Sequence, residues 1–289
     1  MIRGHIHGPI NNVPFLQSGA SYLVDDYSPQ AAYSMRLLSS TYVGSAIRVR
    51  RTSDSSEQDI GFSGDDFDTS SLATFCSGTT GVITTWYDQS GNGNDLTETT
   101  AANQATIYTG GATVAFGNGY AGSYDGSNDR LTGSGLGALN GGACSVFVAA
   151  QQNTSAVAPI LEGRNGLGAD RISFRLDVDG TSNSAFRVRN SGGTNYDAGN
   201  STNLSTSTIY LQSFFMDASK NMSVFDNGAT GGTNTYTGTF TNSNTRVGTN
   251  YNGSAYLTGK IAELIIFNTD ETSNRTAIET NINDYYSIY

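Results

Sequence analysis

IYLQSFFMDASKNMSVFDNG, residues 209–228, decides the fold class. It holds two runs rich in aromatic and apolar residues, 209–217 and 222–226. It ends in Asn227-Gly228, a pair that tolerates the positive φ angles of a tight hairpin turn. Runs of the same kind recur on both sides: TVAFG (113–117), CSVFVAAQ (144–151), RISFRLDVD (171–179), SAFRVRN (184–190), TRVGT (245–249) and AYLTGKIAELIIFN (255–268). Gly and Asn punctuate them, DVDG (177–180) gives a second hairpin signal, and no helices intervene. The pattern predicts an all-β sandwich.

Toward the N-terminus the reading is mixed. AIRVRR (46–51) and VITTWYD (82–88) read as strands, SDSSEQDIGF (53–62) as a turn-rich return, and SSLATFC (70–76) as a short helix. AAYSMRLLSS (31–40) spaces Ala31, Ala32, Met35 and Leu38 as a helix would. Residues 1–22, with Pro9 and Pro14 and no sustained period, are expected to be an extended arm, leaving 23–289 as one domain. At the other end, Thr269 is expected to cap a C-terminal helix with Asp270 and Glu271 in its first turn and Ile278 and Ile282 on its buried face.

Composition restricts the partners. Charged residues make up only 14% of 289, the net charge is −10, and Lys220 and Lys260 are the only lysines. Such a chain repels phosphate backbones and anionic bilayers, so neither nucleic acid nor membrane is expected as a partner. Neutral glycans remain open. Two cysteines far apart, Cys76 and Cys144, and a start without an apolar leader segment imply folding in a reducing cytosol. Both cysteines read as small buried hydrophobes.

YSPQAAYSMRLLSSTYVGSAIRVRRTSDSSEQDIGF, then FC, then ITTWYDQSGNGNDLT, resembles in that order the front of the catalytic domain of α-L-arabinofuranosidase B. SYDGSNDRLT (123–132) and the C-terminal KIAELIIFNTDETSNRTAIETNINDYY look like the laminin-G-like branch of the same superfamily. The resemblance implies a concanavalin A-like jelly roll of two antiparallel sheets with a few short helices. It is also similar to the front block of phage-encoded proteins presumed to be virion components. The family's nucleophile, a Glu on a central strand, falls at Ser173 or Phe174 here. Its acid/base Asp falls at Thr249 or Asn250, and the cysteine after FC, half of a vicinal pair, is replaced at Gly81. Those departures imply no catalytic residues. Rearranged pairs, Asp177 with Asp226 or Glu162 with Glu263, are the alternative, because a retaining glycosidase needs carboxyls about 5–5.5 Å apart.

The loop WYDQSGNGND (86–95) imitates half of a calcium site, but its twelfth position is Thr99 instead of a bidentate Glu. Trp86, Asp88, Asn92, Asn94 and Asp95 are therefore read as a structural corner closed by Asx-turns. Calcium is the weaker reading, and no cofactor is expected. His5 and His7 lack further ligands, so no metal site is expected. Candidate sugar contacts are Tyr196 with Asp197, and Asn250, Tyr251 and Asn252, where aromatic faces and amides stand together.

These readings combine into one expectation. The chain would be a non-enzymatic bacteriophage virion protein, a head fibre, capsid decoration or tail-associated subunit. It would be made in the host cytoplasm, be held to other virion proteins by its arm, form homo-oligomers, and display a lectin-like domain for host glycans. A glycoside hydrolase of arabinofuranosidase-like type and a ligand-free decoration protein are the alternatives.

Overall fold

The structure is a computed structural model that describes residues 21–289 except 135, 137–138, 140–141, 157, 165–169, 177–183, 200–203 and 241–243. The arm through residue 20, with His5 and His7, therefore lies outside the described residues, as do Asp177 and the DVDG turn.

Two antiparallel sheets pack face to face. The back sheet runs, edge to edge, through Ala229–Thr235, Asn221–Asp226, Ile209–Met216, Cys144–Gln152 and Thr258–Phe267, the last flanked by both Ala31–Ser34 and Gly122–Asp125. The front sheet runs through Asn195–Gly199, Ser184–Arg189, Arg171–Leu176, Ala158–Arg164, Asn244–Val247, Leu131–Ser134, Leu96–Thr97, Gly81–Trp86, Ile47–Arg51 and Glu57–Ile60. Thr106–Thr109 pairs with both Gly81–Trp86 and Gly122–Asp125 and so ties the two sheets together. This is an all-β sandwich, as its alternating apolar positions require.

Two cores follow from the two faces of the back sheet. Its inner face (Val146, Val148, Phe214, Val224) meets Phe174, Phe186 and Trp86 of the front sheet. Its outer face (Phe147, Phe215, Ile265, Phe267) is covered by Ile278, Ile282 and Tyr286 of the helix Arg275–Tyr286. The hairpin at Asn227-Gly228 forms with φ of 48° and 75°.

Three local readings need correction. Ala31–Ser34 is a strand and not the start of a helix. All four residues are buried, Tyr33 toward the central core and Ala32 toward the helix side, so both faces are apolar and the spacing imitates a helix. The C-terminal helix starts at Arg275, with no side-chain cap from Asn274. Asp270 is occupied closing a turn onto the Thr272 N–H (3.1 Å), while Thr269 Oγ1 donates to Glu271 (2.6 Å), so the polar residues form a turn before the helix. The strands Ala158–Arg164 and Asn195–Gly199 had no counterpart in the sequence reading.

Candidate active site

The front sheet buries its inner face and presents a polar outer face. Along Arg171–Leu176, Ile172, Phe174 and Leu176 enter the core, so Arg171, Ser173 and Arg175 share the outer side. Strand register places Arg246, Glu162, Ser173, Arg187 and Asp197 in one row across five neighbouring strands. A hollow of about 80 Å³ opens over this row, lined by Pro159, Glu162, Arg171, Ser173, Arg175, Arg187, Asn250 and Ala255.

Glu162 is 2% exposed. Its Oε1 accepts the Tyr251 N–H at 2.9 Å. Burial pushes its carboxyl above the ordinary glutamate range, against the opposing pull of that N–H and of Arg171, Arg164 and Arg175. Beside it the Ser173 hydroxyl and the Arg171 Nε are buried without a hydrogen-bond partner among the described residues. A buried carboxyl inclined to hold a proton can act as a general acid toward a substrate oxygen that reaches it.

Both positions that the family resemblance assigned to catalysis meet here. Ser173 and Asn250 line the same hollow, while Phe174 points into the core and Thr249 is buried, its Oγ1 donating to Ala255 O at 2.8 Å. Neither Ser173 nor Asn250 is a carboxyl, but the strand Ala158–Arg164 sets Glu162 directly opposite Ser173.

The rearranged pair of Glu162 with Glu263 does not form. Glu263 lies on the helix side of the back sheet, bound to Arg36 at 2.8 Å and to Ser34, with both sheets between it and Glu162. Asp226 is buried against Ser184 (2.6 Å) and Gln212 (2.8 Å), and Asp177 lies outside the described residues.

Of the proposed sugar contacts, Asn250 lines the hollow and Asp197 chelates Arg187 with both oxygens (2.5 and 2.7 Å) at its margin. The Tyr251 ring is packed by Arg164 at 5.0 Å and Arg246 at 4.6 Å. Asn252 accepts from Arg164 at 2.5 Å. Tyr196 faces the other way, edge-on to Tyr236 at 5.1 Å, so it shares no surface with Asp197.

In the 86–95 loop, Trp86 is buried against Tyr33, with ring centroids 5.7 Å apart. Asp88 accepts from Ala32 N, Ser90 N, Asn94 N and Ser90 Oγ at 2.8–3.0 Å, and Asp95 accepts Asp88 N at 2.9 Å. Asn92 and Asn94 donate to Gln30 O (3.1 and 2.8 Å). The Asp88 oxygens thus serve the loop itself and the neighbouring strand Ala31–Ser34. Among the described residues no group of three or more His, Cys, Asp or Glu is placed to hold a metal ion. Three larger hollows, about 470 Å³ beside this loop, about 460 Å³ at the edge of the back sheet and about 330 Å³ between Asp68 and Tyr285, are lined mainly by Ser, Thr, Asn and Asp.

The fold is that of an arabinofuranosidase-like β-sandwich. Residues 23–121 match the family model described as the catalytic domain of α-L-arabinofuranosidase B. A GH54 α-L-arabinofuranosidase soaked with 4-nitrophenyl α-L-arabinofuranoside is similar at 19% identity and a TM-score of 0.70, over 91% of this chain and 64% of that one. The enzyme soaked with a cyclic sulfate inhibitor gives 20%, 0.69 and the same coverage. An arabinofuranosidase complexed with arabinofuranosyl-α-1,2-xylobiose gives 20% and 0.67, over 89% and 63%. This chain therefore spans a little under two thirds of the length of those proteins. No curated protein matches.

These findings overturn the virion reading and, with it, the expectation of a protein that is not an enzyme. The family model and the structures with similar folds are arabinofuranosidases, and none of them is a virion component. The non-enzyme expectation rested on the lack of a carboxyl along Arg171–Leu176, and the neighbouring strand sets Glu162 opposite Ser173.

Proposed function

We propose that the chain is a glycoside hydrolase of arabinofuranosidase-like type in which Glu162 is the acid/base carboxyl. The observation that carries this reading is Glu162 itself: a buried carboxyl with a raised pKa at the hollow where Ser173 and Asn250 also converge. Tyr251 N–H occupies Oε1, so the proton belongs on Oε2. Oε2 gives that proton to the glycosidic oxygen as the bond to the anomeric carbon breaks. Water then adds to that carbon and returns a proton to Glu162, which restores the acid. Asp197 is three strands from Glu162, about 14 Å at roughly 4.8 Å per strand, which is outside the carboxyl spacing of either the retaining or the inverting geometry. Glu162 therefore works with the polar floor of Ser173 and Asn250.

The test compares two leaving groups. On arabinofuranosyl-α-1,2-xylobiose, whose sugar alcohol departs only when protonated, Glu162→Gln should lower kcat/KM by about 10²–10⁴. On 4-nitrophenyl α-L-arabinofuranoside, whose phenolate departs without help, the loss should be much smaller. Absence of arabinose release from both substrates, or equal losses on both, would sink the proposal.

A further inference from the structure

Tyr251 is held on both sides of its Cα. Its N–H donates to Glu162 Oε1 at 2.9 Å, and its carbonyl accepts from Arg246 Nη1 at 2.6 Å. Arg246 stands directly opposite Glu162 on the neighbouring strand Asn244–Val247. The two members of this cross-strand pair therefore meet through Tyr251, one on each flank. The Arg246 guanidinium also lies over the Tyr251 ring, 4.6 Å from its centroid, so one side chain grips the residue twice.

The turn that carries Tyr251 needs such a hold. Gly248, at φ 82°, takes the chain off the strand, and a Cβ there would lie 2.5 Å from the Tyr124 ring. Residues 249–256 then fold on themselves. The Asn250 N–H donates to Ala255 O at 3.0 Å, the Gly253 N–H to Asn250 O at 3.1 Å, and the Ser254 N–H to Asn250 Oδ1 at 2.9 Å. These bonds shape the turn without tying it to the sheet. Arg246 supplies a tie, and Arg164 supplies another to Asn252 at 2.5 Å. Only the first acts on the residue whose N–H meets the carboxyl. A shift of about 1 Å in the turn would take the donor off Oε1, and the two carboxyl oxygens would then compete for the proton.

Resting on the hydrolase reading, we propose that Arg246 is a positioning residue: by fixing Tyr251 it keeps that N–H on Glu162 Oε1 and so leaves the proton on Oε2 for the bond to be cleaved. Arg246 touches no substrate in this role and acts on the carboxyl through one residue of backbone. The other charged groups around Glu162 are Arg164 on its own strand, Arg171 and Arg175 on the next, Arg187 beyond Ser173, and Asp170 next to Arg171 in the chain. All of them remain when Arg246 alone is changed.

The test follows the Tyr251 amide proton by NMR in the full chain carrying isotope-labelled tyrosine, its peak being the one missing from Tyr251→Phe. An N–H bonded to a carboxyl shifts as that carboxyl titrates. The wild-type Tyr251 amide should therefore move as pH carries Glu162 through its titration, and Glu162→Gln should abolish the movement. Arg246→Met, similar in length but without a donor, should lose most of it. In the same variant kcat on arabinofuranosyl-α-1,2-xylobiose should fall about tenfold or more with KM little changed. The fall should be much smaller on 4-nitrophenyl α-L-arabinofuranoside, whose phenolate needs no acid. Arg246→Lys, which keeps a charged donor of similar reach, should restore both the titration and kcat. A wild-type Tyr251 amide that does not titrate overturns the inference, whether or not Arg246→Met folds. So does an amide that still titrates in Arg246→Met, because any kinetic loss would then be an effect of charge alone. Equal losses on the two substrates, or Arg246→Lys behaving as Arg246→Met, overturn it as well. If Arg246→Met silences a titrating amide and no form of the protein hydrolyses either substrate, the positioning of the carboxyl by Arg246 stands and the hydrolase reading fails instead.

Discussion

Asp129 shows how burial sets the behaviour of a single carboxyl on this fold. It is buried in the turn after Gly122–Asp125, where its Oδ2 accepts Asp125 N at 3.0 Å. Burial and the neighbouring Asp125 charge push it up to about 6 from an ordinary 3.8, although the Asp125 N–H pulls the other way. The folded state therefore holds this proton more tightly than the unfolded chain does. The contribution of this group to stability is full below about pH 4 and is lost as pH rises from there through about 6. Asp129→Asn keeps a carbonyl oxygen for the Asp125 N–H and removes the buried charge. It should gain about 2 kcal/mol at pH 7.5 and nothing at pH 3.5, measured by urea unfolding at both values. A gain of the same size at both pH values would show that the charge is not the cause.

At the scale of elements, what could be read from the sequence follows from how one-sided each segment is. Ile209–Met216 and Asn221–Asp226 alternate or run apolar and close on Asn227-Gly228, so strand and turn are both visible in the residues. Ala158–Arg164 starts with Ala-Pro, carries Gly163, and has its register broken by a bulge between Pro159 and Leu161. It shows no period, and this hid the strand that supplies Glu162. The positions of Ser173 and Asn250 could be found through the resemblance, but their meeting at Glu162 depends on strand register, which no local pattern encodes. The 86–95 loop is the opposite case, because its side chains act on its own backbone and on the neighbouring strand. Asp88→Ala would leave the N–H groups of Ala32, Ser90 and Asn94 without their acceptor. Two or three stranded donors at about 1–3 kcal/mol each predict a loss of about 3 kcal/mol or more, detectable as a lower urea midpoint. A change within about 0.5 kcal/mol would mean that the loop finds other partners.

At the scale of the whole molecule, two of the buried glutamates, Glu162 and Glu263, stand on opposite outer faces of the sandwich in different surroundings. Glu263 sits under the C-terminal helix, where Arg36 binds it through Nε and Nη2 (2.8 and 2.9 Å) and Ser34 donates to it at 2.8 Å. It joins Ala31–Ser34 to Thr258–Phe267, and the Arg36 that holds it also donates to Asn281 of the helix at 2.7 Å. Removing one partner of such a pair leaves the other charge buried, at a cost of about 3–5 kcal/mol. Among the described residues Glu162 is held by one hydrogen bond, from the Tyr251 N–H, and burial raises its pKa. Its folded form therefore retains the proton over a pH range in which the unfolded chain releases it. The contribution of Glu162 to stability is lost as pH rises from the ordinary glutamate value through the raised one. The two substitutions should consequently dissociate stability from activity. Glu263→Gln should lose about 3–5 kcal/mol by urea unfolding, while kcat on arabinofuranosyl-α-1,2-xylobiose, normalised to folded protein, stays at the wild-type value. Glu162→Gln should be at least as stable as wild type at pH 7.5, lose that advantage below pH 4, and lose hydrolysis. If Glu162→Gln instead unfolded the protein as Glu263→Gln does, the front-face carboxyl would be a structural ion like its counterpart, and the site assigned to it would have to move.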